Sequence, residues 1–528
     1  MKTKTVLAYS DLKVTKVEKI IETGSVLITL MFIVGGKQTS IRCKLNDLQQ
    51  ELNRAGYPIA NNQTGKLFDY IHQQMNKINA QDIHKGIGWL DLDGSLVFRG
   101  QKAIGEKSSY SSNFSIAPNG DLLDFRRDYN NSIFENIPLE ASMIMGMSAC
   151  VTGYLAIVSE IPVPSLIFDI NGRSTTGKST SAKLSVSMGG ALKEPNKVSL
   201  SATCSTTSNA LYGILNDNFG YPMLFDETAR FGKNHNYTEM LYSLSDGTDK
   251  ARMTKNGDIS AVKHWATTVL FTGESPLLSK ADTADGLLVR VIPLCNIKWT
   301  KNAEQAHKVE EFSAKYAGLP IWHLAKYIYS IHNSNNIINT YKYEINRLTE
   351  VIPLDDEYKE RTAKSIAILS LTALLTEKAL KIKFHKNEIL EFFLNSIETS
   401  SPETESERAF EYILNKYHEN ASKFIHTSRG NTGLFEGVPK DCFGKVRLNY
   451  SKKSFRNGQS VDLLIILREV FIEWLNQGGF TNHDNILREW ANDELICRQK
   501  EDRFYSGLIL KKGAPPSICI RIVFSAEE

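Results

Sequence analysis

Gly172-Arg173-Ser174-Thr175-Thr176-Gly177-Lys178-Ser179 is the segment whose residue types and spacing most directly imply chemistry. It fits the pattern G-x-x-x-x-G-K-[ST], with a short apolar run, Leu166 to Ile170, before it and a helix candidate, Thr180 to Ser187, after it. The two glycines let the backbone close around phosphate oxygens, whose charge is met by inward amides and by the positive end of the helix. Lys178 would reach the β and γ phosphates, and the Ser179 hydroxyl would ligate Mg²⁺. Residues Gly172 through Thr180 are therefore expected to hold ATP with Mg²⁺.

A second segment, Tyr221 to Glu227, is an apolar strand candidate that ends in Asp226 and Glu227. Asp226 at the strand tip would hold Mg²⁺ through its water shell, and Glu227 could orient or deprotonate an attacking water. Another strand and helix pair, Lys197 to Ala202 and Ser205 to Leu215, lies between the two motifs. That insertion together with Glu227 points to the ATPase branch of phosphate-loop proteins. Asn196-Lys197 is followed by Val198-Ser199, so the guanine-reading N-K-x-D motif is missing.

These motifs need an α/β frame, and the stretch 131–395 alternates apolar strands with helical segments as such a domain should. Before it, 1–130 reads as an α+β domain of antiparallel strands and two helices, with turn signals at Gly24, at Gly35-Gly36 and around Gly88-Trp89. The acidic, Ser/Thr-rich segment 396–408 reads as a linker, and 409–528 as a third domain. That domain opens its core with an apolar stretch, Val461 to Leu475, expected to be helical, then a helix near Asn482 to Asn492 and two strand candidates. Helices followed by paired strands suggest a winged-helix-like, DNA-binding module.

Composition narrows the setting. Sixty-two basic against 59 acidic residues leave a net charge of +3, so nucleic-acid contact must come from local basic surfaces. Seven scattered cysteines without a C-x-x-C pair disfavour zinc and a disulfide framework and point to a reducing cytoplasm. The N-terminus has no secretory pattern. The apolar stretch Ala141 to Val158 contains Ser142, Ser148, Thr152 and Tyr154 and runs into the phosphate-loop strand, so a core helix is expected there and no membrane.

Two basic regions could meet DNA. A hairpin expected to turn at Asn256-Gly257 carries Arg252, Lys255 and Lys263 ahead of the apolar strand Ala266 to Phe271. Residues 421–456 mix basic side chains, among them Lys452 and Lys453, with aromatic ones, a combination suited to phosphate contact and base stacking.

The run Gly247 to Arg252, then Trp265, Thr272-Gly273-Glu274-Ser275, and Gly286 to Pro293 resembles a bacterial phosphate-loop family long described only as a domain of unknown function. That family is similar to AAA+ helicases, in particular MCM-like replicative helicases of pathogenicity islands and cassette-chromosome elements. The resemblance runs from the early strands to about residue 380 and is strongest between Asn171 and Pro293. It implies an AAA+ core with a helical lid, a hexameric ring moving 3′ to 5′ on single-stranded DNA, and replication of a mobile element. Implied partners are single-stranded and forked DNA, further copies of the chain and other replication proteins of the same element. The Asn256-Gly257 turn would be the hairpin that grips DNA in the channel. Thr272 would be the sensor-1 group, contested by Glu274. Arg290 would be the arginine finger acting on a neighbour's ATP, with Arg230 and Arg252 as rivals because an S-R-F motif is missing. Arg361 would be a sensor-2 arginine. The residues leave two other readings open: an origin-melting ATPase without processive unwinding, and a protein-remodelling ATPase that binds no nucleic acid.

Overall fold

Alternating polar and apolar residues near the N-terminus form three antiparallel strands, β1 (Lys13–Ile20), β2 (Val26–Val34) and β3 (Lys37–Lys44). Gly35 and Gly36 close the second hairpin at φ +57° and +78°, the two positive values that a two-residue turn of this kind needs. Ile28, Leu30 and Phe32 point inward beneath helices α1 (Leu48–Arg54) and α2 (Thr64–Met75), giving this sheet its own small core. Strands β4 (Gln81–His84), β5 (Ile87–Leu92), β6 (Ser95–Arg99), β7 (Ala103–Ile104) and β8 (Ser109–Tyr110) follow; β4 and β8 extend the first sheet, while β5 to β7 belong to a second. The structure is a computed structural model and describes residues 11–173, 175–232, 235–251, 262–281, 285–334, 336–352, 356–399, 405–427, 441–450, 461–480, 483–497, 503–509 and 515–524.

After α3 (Leu122–Ser132) comes α4 (Ile137–Val158), the apolar segment, buried continuously from Leu139 to Leu155. A helix apolar all round belongs in a core. Two of its polar residues find partners there: Ser142 Oγ lies 2.7 Å from Ser181 Oγ, and Ser148 Oγ 2.7 Å from Thr268 Oγ1. The expected core helix is what the fold contains.

The central sheet comprises β9 (Leu166–Asn171), β10 (Ser201–Thr203), β12 (Met223–Asp226), β13 (Thr268–Gly273) and β14 (Val291–Cys295), in the order β10-β12-β13-β9-β14 with every neighbouring pair parallel. Between these strands lie α5 (Lys178–Ser187), α6 (Ser208–Leu215), the short β11 (Asn218–Phe219) and α7 (Tyr237–Asp246). Strand β11 leaves this region and pairs with β5, so the second sheet reads β11-β5-β6-β7. Gly88 sits at that joint: at φ +94°, a Cβ there would lie 2.0 Å from the Phe219 carbonyl oxygen. Its neighbour Trp89 is buried and donates to the Cys150 carbonyl at 2.9 Å.

Helices α8 (Ala303–Lys315), α9 (Leu319–Ile331), α10 (Asn336–Val351), α11 (Asp356–Leu380) and α12 (Lys386–Thr399) complete a first unit, Met1–Ser401. Helix α12 thus extends into the segment for which a linker is expected. The second unit, Pro402–Glu528, begins its described part with α13 (Glu405–Glu419) and the strands β15 (Phe424–Thr427) and β16 (Gly444–Tyr450).

The expected helix from Val461 to Leu475 is corrected by the structure. It is a strand, β17 (Val461–Leu467), running directly into α14 (Arg468–Gln477). Strand β17 lies between β16 and β19 (Ser517–Phe524), with Leu464 and Ile466 in one apolar cluster and Leu463 and Ile465 in another. A strand covered on both faces has no polar alternation, and apolar periodicity cannot tell it from a buried helix. A turn containing Gly479 at φ +81° leads to α15 (His483–Asn492), and β18 (Ser506–Leu508) completes a sheet ordered β15-β16-β17-β19-β18.

Candidate nucleotide-binding site

Strand β9 is buried over its whole length and delivers the chain to Gly172 at φ +131°. A Cβ on Gly172 would lie 2.9 Å from Asn296 Oδ1, and one on Gly177, at φ +88°, 2.8 Å from Thr300 Oγ1. Both glycines are therefore demanded twice, by backbone conformation and by close approach. The segment after β14 braces the loop: Asn296 N–H donates to Asn171 O at 3.0 Å and Trp299 N–H to Thr176 O at 2.9 Å. Thr175 adopts φ +70°, uncommon for a β-branched residue and of the kind that tertiary contacts hold at functional loops. Ser174 lies outside the described residues.

The Lys178 ammonium donates to the carbonyls of Gly172 at 2.7 Å and Arg173 at 2.6 Å, which places the charge within the curve of the loop. Helix α5 starts at Lys178, so the first-turn N–H groups of Lys178, Ser179 and Thr180 have no carbonyl of their own helix to bond. Positive-φ glycines, a braced loop, a lysine inside it and free helical amides fit a triphosphate.

Asp226 ends β12, two strands from β9 at the same edge of the sheet. Strands are spaced by roughly 4.8 Å, so Asp226 stands on the order of 10 Å from the start of the loop, the span an ion with its waters could bridge. Thr272 on β13 lies between them: its hydroxyl donates to Asp226 Oδ1 and accepts the Glu227 N–H at 3.1 Å. Glu227 adopts φ +63°, and its half-exposed carboxylate pairs with Arg230. Thr272, Asp226 and Glu227 are thus brought together.

Several contacts here involve residues to which the motifs gave no role. Asp169, buried in β9, accepts the Leu277 N–H at 2.6 Å and Asn171 Nδ2 at 2.9 Å, and burial pushes its carboxyl up to about 6. It ties the loop after β13 to the phosphate-loop strand. That loop carries Lys280, whose ammonium is 3.3 Å from Thr228 Oγ1, next to Glu227. A lone acid within the apolar run Leu166 to Ile170 was the available signal for Asp169. Nothing in local spacing marks Asn296, Thr300 or Lys280.

Arg290 lies at the other edge. Val291 pairs with Ile167 and Cys295 with Asn171, so at about 3.3 Å per residue Arg290 is roughly 20 Å along the sheet from the start of its own phosphate loop. Its guanidinium donates to Gly286 O at 2.6 Å, faces Asp246 at 3.7 Å and covers the Tyr242 ring at 4.6 Å from the centroid. Burial, and then the charge of Arg361, hold its pKa below the ordinary arginine value. Arg361, exposed on α11, is therefore close enough to Arg290 for its charge to be felt there.

The limbs of the expected hairpin meet at this edge too, through an antiparallel bridge between Thr248 and His264. Lys263 donates to Asn209 O at 3.1 Å and is 3.9 Å from Asp249. Arg252, Lys255 and the Asn256-Gly257 turn lie outside the described residues, as do Lys452 and Lys453.

Together these features define a mixed α/β protein with a parallel sheet, a glycine-and-lysine loop and an acid-tipped strand at one end of it, followed by a C-terminal unit of helices on a sheet. Residues 37–264 match the family described as Domain of unknown function (DUF927), and residues 404–512 match the Cch helix turn helix domain. Among solved structures the chain is similar to "SCCmec type IV Cch - active helicase", with a TM-score of 0.69 and 21% identity over 97% of this chain and 93% of that one. The chain has that protein's fold over nearly its whole length, and the resemblance to cassette-chromosome helicases is borne out. A comparison with curated proteins finds no match.

Proposed function

We propose that this chain is an AAA+ ATPase that works as a DNA helicase of a mobile genetic element, assembled as a ring around single-stranded DNA. The observation that carries the reading is the division of the site between the two edges of the parallel sheet. Lys178, Ser179, Asp226, Glu227 and Thr272 stand at one edge, while Arg290, whose charge Arg361 acts on, stands at the other, too far to serve the same nucleotide. A head-to-tail arrangement of subunits would bring one chain's arginines to the next chain's loop.

In this mechanism the loop amides and Lys178 bind the β and γ phosphates, and Ser179 with Asp226 would hold Mg²⁺, which supplies charge neutralisation on the phosphate oxygens. Glu227, freed from Arg230, takes a proton from the water that attacks the γ phosphorus, and the bond to the β-γ bridging oxygen breaks. Thr272 fixes the Asp226 carboxylate and the Glu227 backbone. Arg290 and Arg361 from the adjoining subunit meet the charge that develops on the γ phosphate. The hairpin rooted at Thr248 and His264 would follow these changes along the strand, with a hexamer travelling 3′ to 5′ as the family resemblance implies. A winged-helix-like C-terminal region, with α14 and α15 as its helix-turn-helix, would add a second hold on DNA.

The test is the ATPase rate of the full chain with and without single-stranded DNA at low salt, followed by unwinding of a forked duplex. Stimulation and unwinding that Glu227→Gln depresses by roughly 10²–10⁴-fold is the expected result. Stimulation without unwinding would turn the reading to an origin-melting ATPase. Basal hydrolysis indifferent to DNA would turn it to a protein remodeller.

A further inference from the structure

The C-terminal unit contains a cavity of about 600 Å³ lined by Arg468, Arg488, Arg503, Asp484, Phe504 and Tyr505. The three arginines come from different places: the first residue of α14, the exposed face of α15, and the segment leading into β18. Among the described residues none of the three is in an ion pair, and Asp484 is the single carboxylate of the lining. Like charges drawn to one concavity repel each other unless an anion joins them. Guanidinium groups in such an arrangement suit phosphate oxygens, to which each can offer two parallel donors.

The rest of the lining says what kind of phosphate compound fits. Arg468 stands over the Tyr505 ring, 5.2 Å from its centroid, which fixes the guanidinium and covers one face of the ring. Ile518 is 56% exposed at the margin, an apolar surface for a sugar or base edge. The cavity is within the size range of nucleotide-sized ligands, roughly 300–1,000 Å³. Beyond Asp484 it offers few groups to read a base, so the recognition it can provide is of charge rather than of sequence. Both α14 and α15 fall in the region that matches the Cch helix turn helix domain.

We infer that this cavity grips the phosphodiester backbone of DNA through Arg468, Arg488 and Arg503, holding the strand without reading its sequence; the inference rests on the DNA-acting reading above. None of the three arginines belongs to the nucleotide-binding site. The double variant Arg488→Gln with Arg503→Gln, in the full chain, tests it by fluorescence anisotropy on labelled DNA of two unrelated sequences over a salt series. Expected is a loss of affinity of roughly tenfold near 0.1 M salt for both sequences, with the slope of log K against log salt shallower by about 2. Arg488→Lys with Arg503→Lys should keep the slope, and thermal unfolding and DNA-free ATPase should be unchanged in both, which excludes a folding defect in either unit.

An unchanged slope in the glutamine variant, with wild-type binding intact, overturns this assignment alone. Loss confined to one sequence overturns it in favour of base readout. Pyrophosphate binding at matched ionic strength that the variant abolishes, with DNA affinity untouched, would give the cavity to a free anion instead. Wild-type protein that binds neither DNA would overturn this assignment and the helicase reading together.

Discussion

The two edges of the central sheet are built by different means. Where β9 and β12 end, the site is mostly backbone: glycines at positive φ, a loop braced by Asn296 and Trp299, and the Glu227 N–H held by Thr272. Where β14 begins, it is mostly side chain: Arg290 lies over Tyr242 near Asp246, with the exposed Arg361 beside it. The first edge is pre-organised by the chain's own fold. The second offers cations whose charge is only partly met within the chain, since Asp246 is 3.7 Å from Arg290 and the nearer partners are a carbonyl and a ring. In the proposed ring one chain would carry the halves of two sites, and the asymmetry would give each half a distinct sensitivity to substitution.

The largest expected effect breaks the comparison outright. Arg290→Ala should lower DNA-stimulated hydrolysis by roughly 10³-fold or more, as removal of a charge acting on the transition state does. Mixing that variant with Lys178→Ala should restore part of the rate, because junctions form in which one chain supplies Lys178 and the other Arg290. A mixture no more active than either variant would sink the divided site.

A smaller effect sharpens the account of the first edge. The folded Asp169 carboxyl titrates at about 6, above the ordinary carboxylate value of about 3.9, so the folded state holds the extra proton. Its contribution to stability is present below about pH 4 and is lost as pH rises towards 6, by about 3 kcal/mol. Asp169→Asn can still accept the Leu277 N–H, and should remove this dependence. Urea unfolding of both proteins at pH 4.5 and 7 measures it; parallel pH dependence in the two would contradict the burial argument.

The smallest effect lies away from both edges. Buried Glu140 on α4 accepts His385 N–H at 2.9 Å and Nδ1 at 2.8 Å, at the start of α12, and the hydrogen bond raises the His385 pKa. That stabilisation is complete below the unfolded histidine value of about 6.5 and fades as pH passes the higher folded value. The stability gap between wild type and His385→Asn should therefore narrow on going from pH 6 to pH 9, with ATPase sensitivity to Arg290→Ala unaltered. A gap that widens would reverse the assigned sign.

How much of this was legible in the residues follows from distance along the chain. The phosphate loop spans consecutive positions, and its glycines, lysine and helix start are all local, so Gly172 to Thr180 could be read directly. Asp226 and Glu227 are likewise marked by an apolar strand ending in acids. Gly88 and Trp89 read locally as a turn signal, but their packing partners, Phe219 and Cys150, lie far away and on different elements. Strand β17 has the pattern of a helix in the sequence because burial on both faces erases the periodicity that separates the two.

By itself the sequence determined the glycine-and-lysine loop pattern with the helix after it, the acid pair, the core helix α4 and the likeness to cassette-chromosome helicases, since each rests on residue types at short range. Tertiary structure decided the rest: that Thr272 joins Asp226 and Glu227, that Asp169 ties the loop after β13 to β9, that Arg290 and Arg361 share the far edge, and that three arginines line one cavity. These depend on strand order and register, and parallel pairing brings together residues whose separation in the chain carries no local mark.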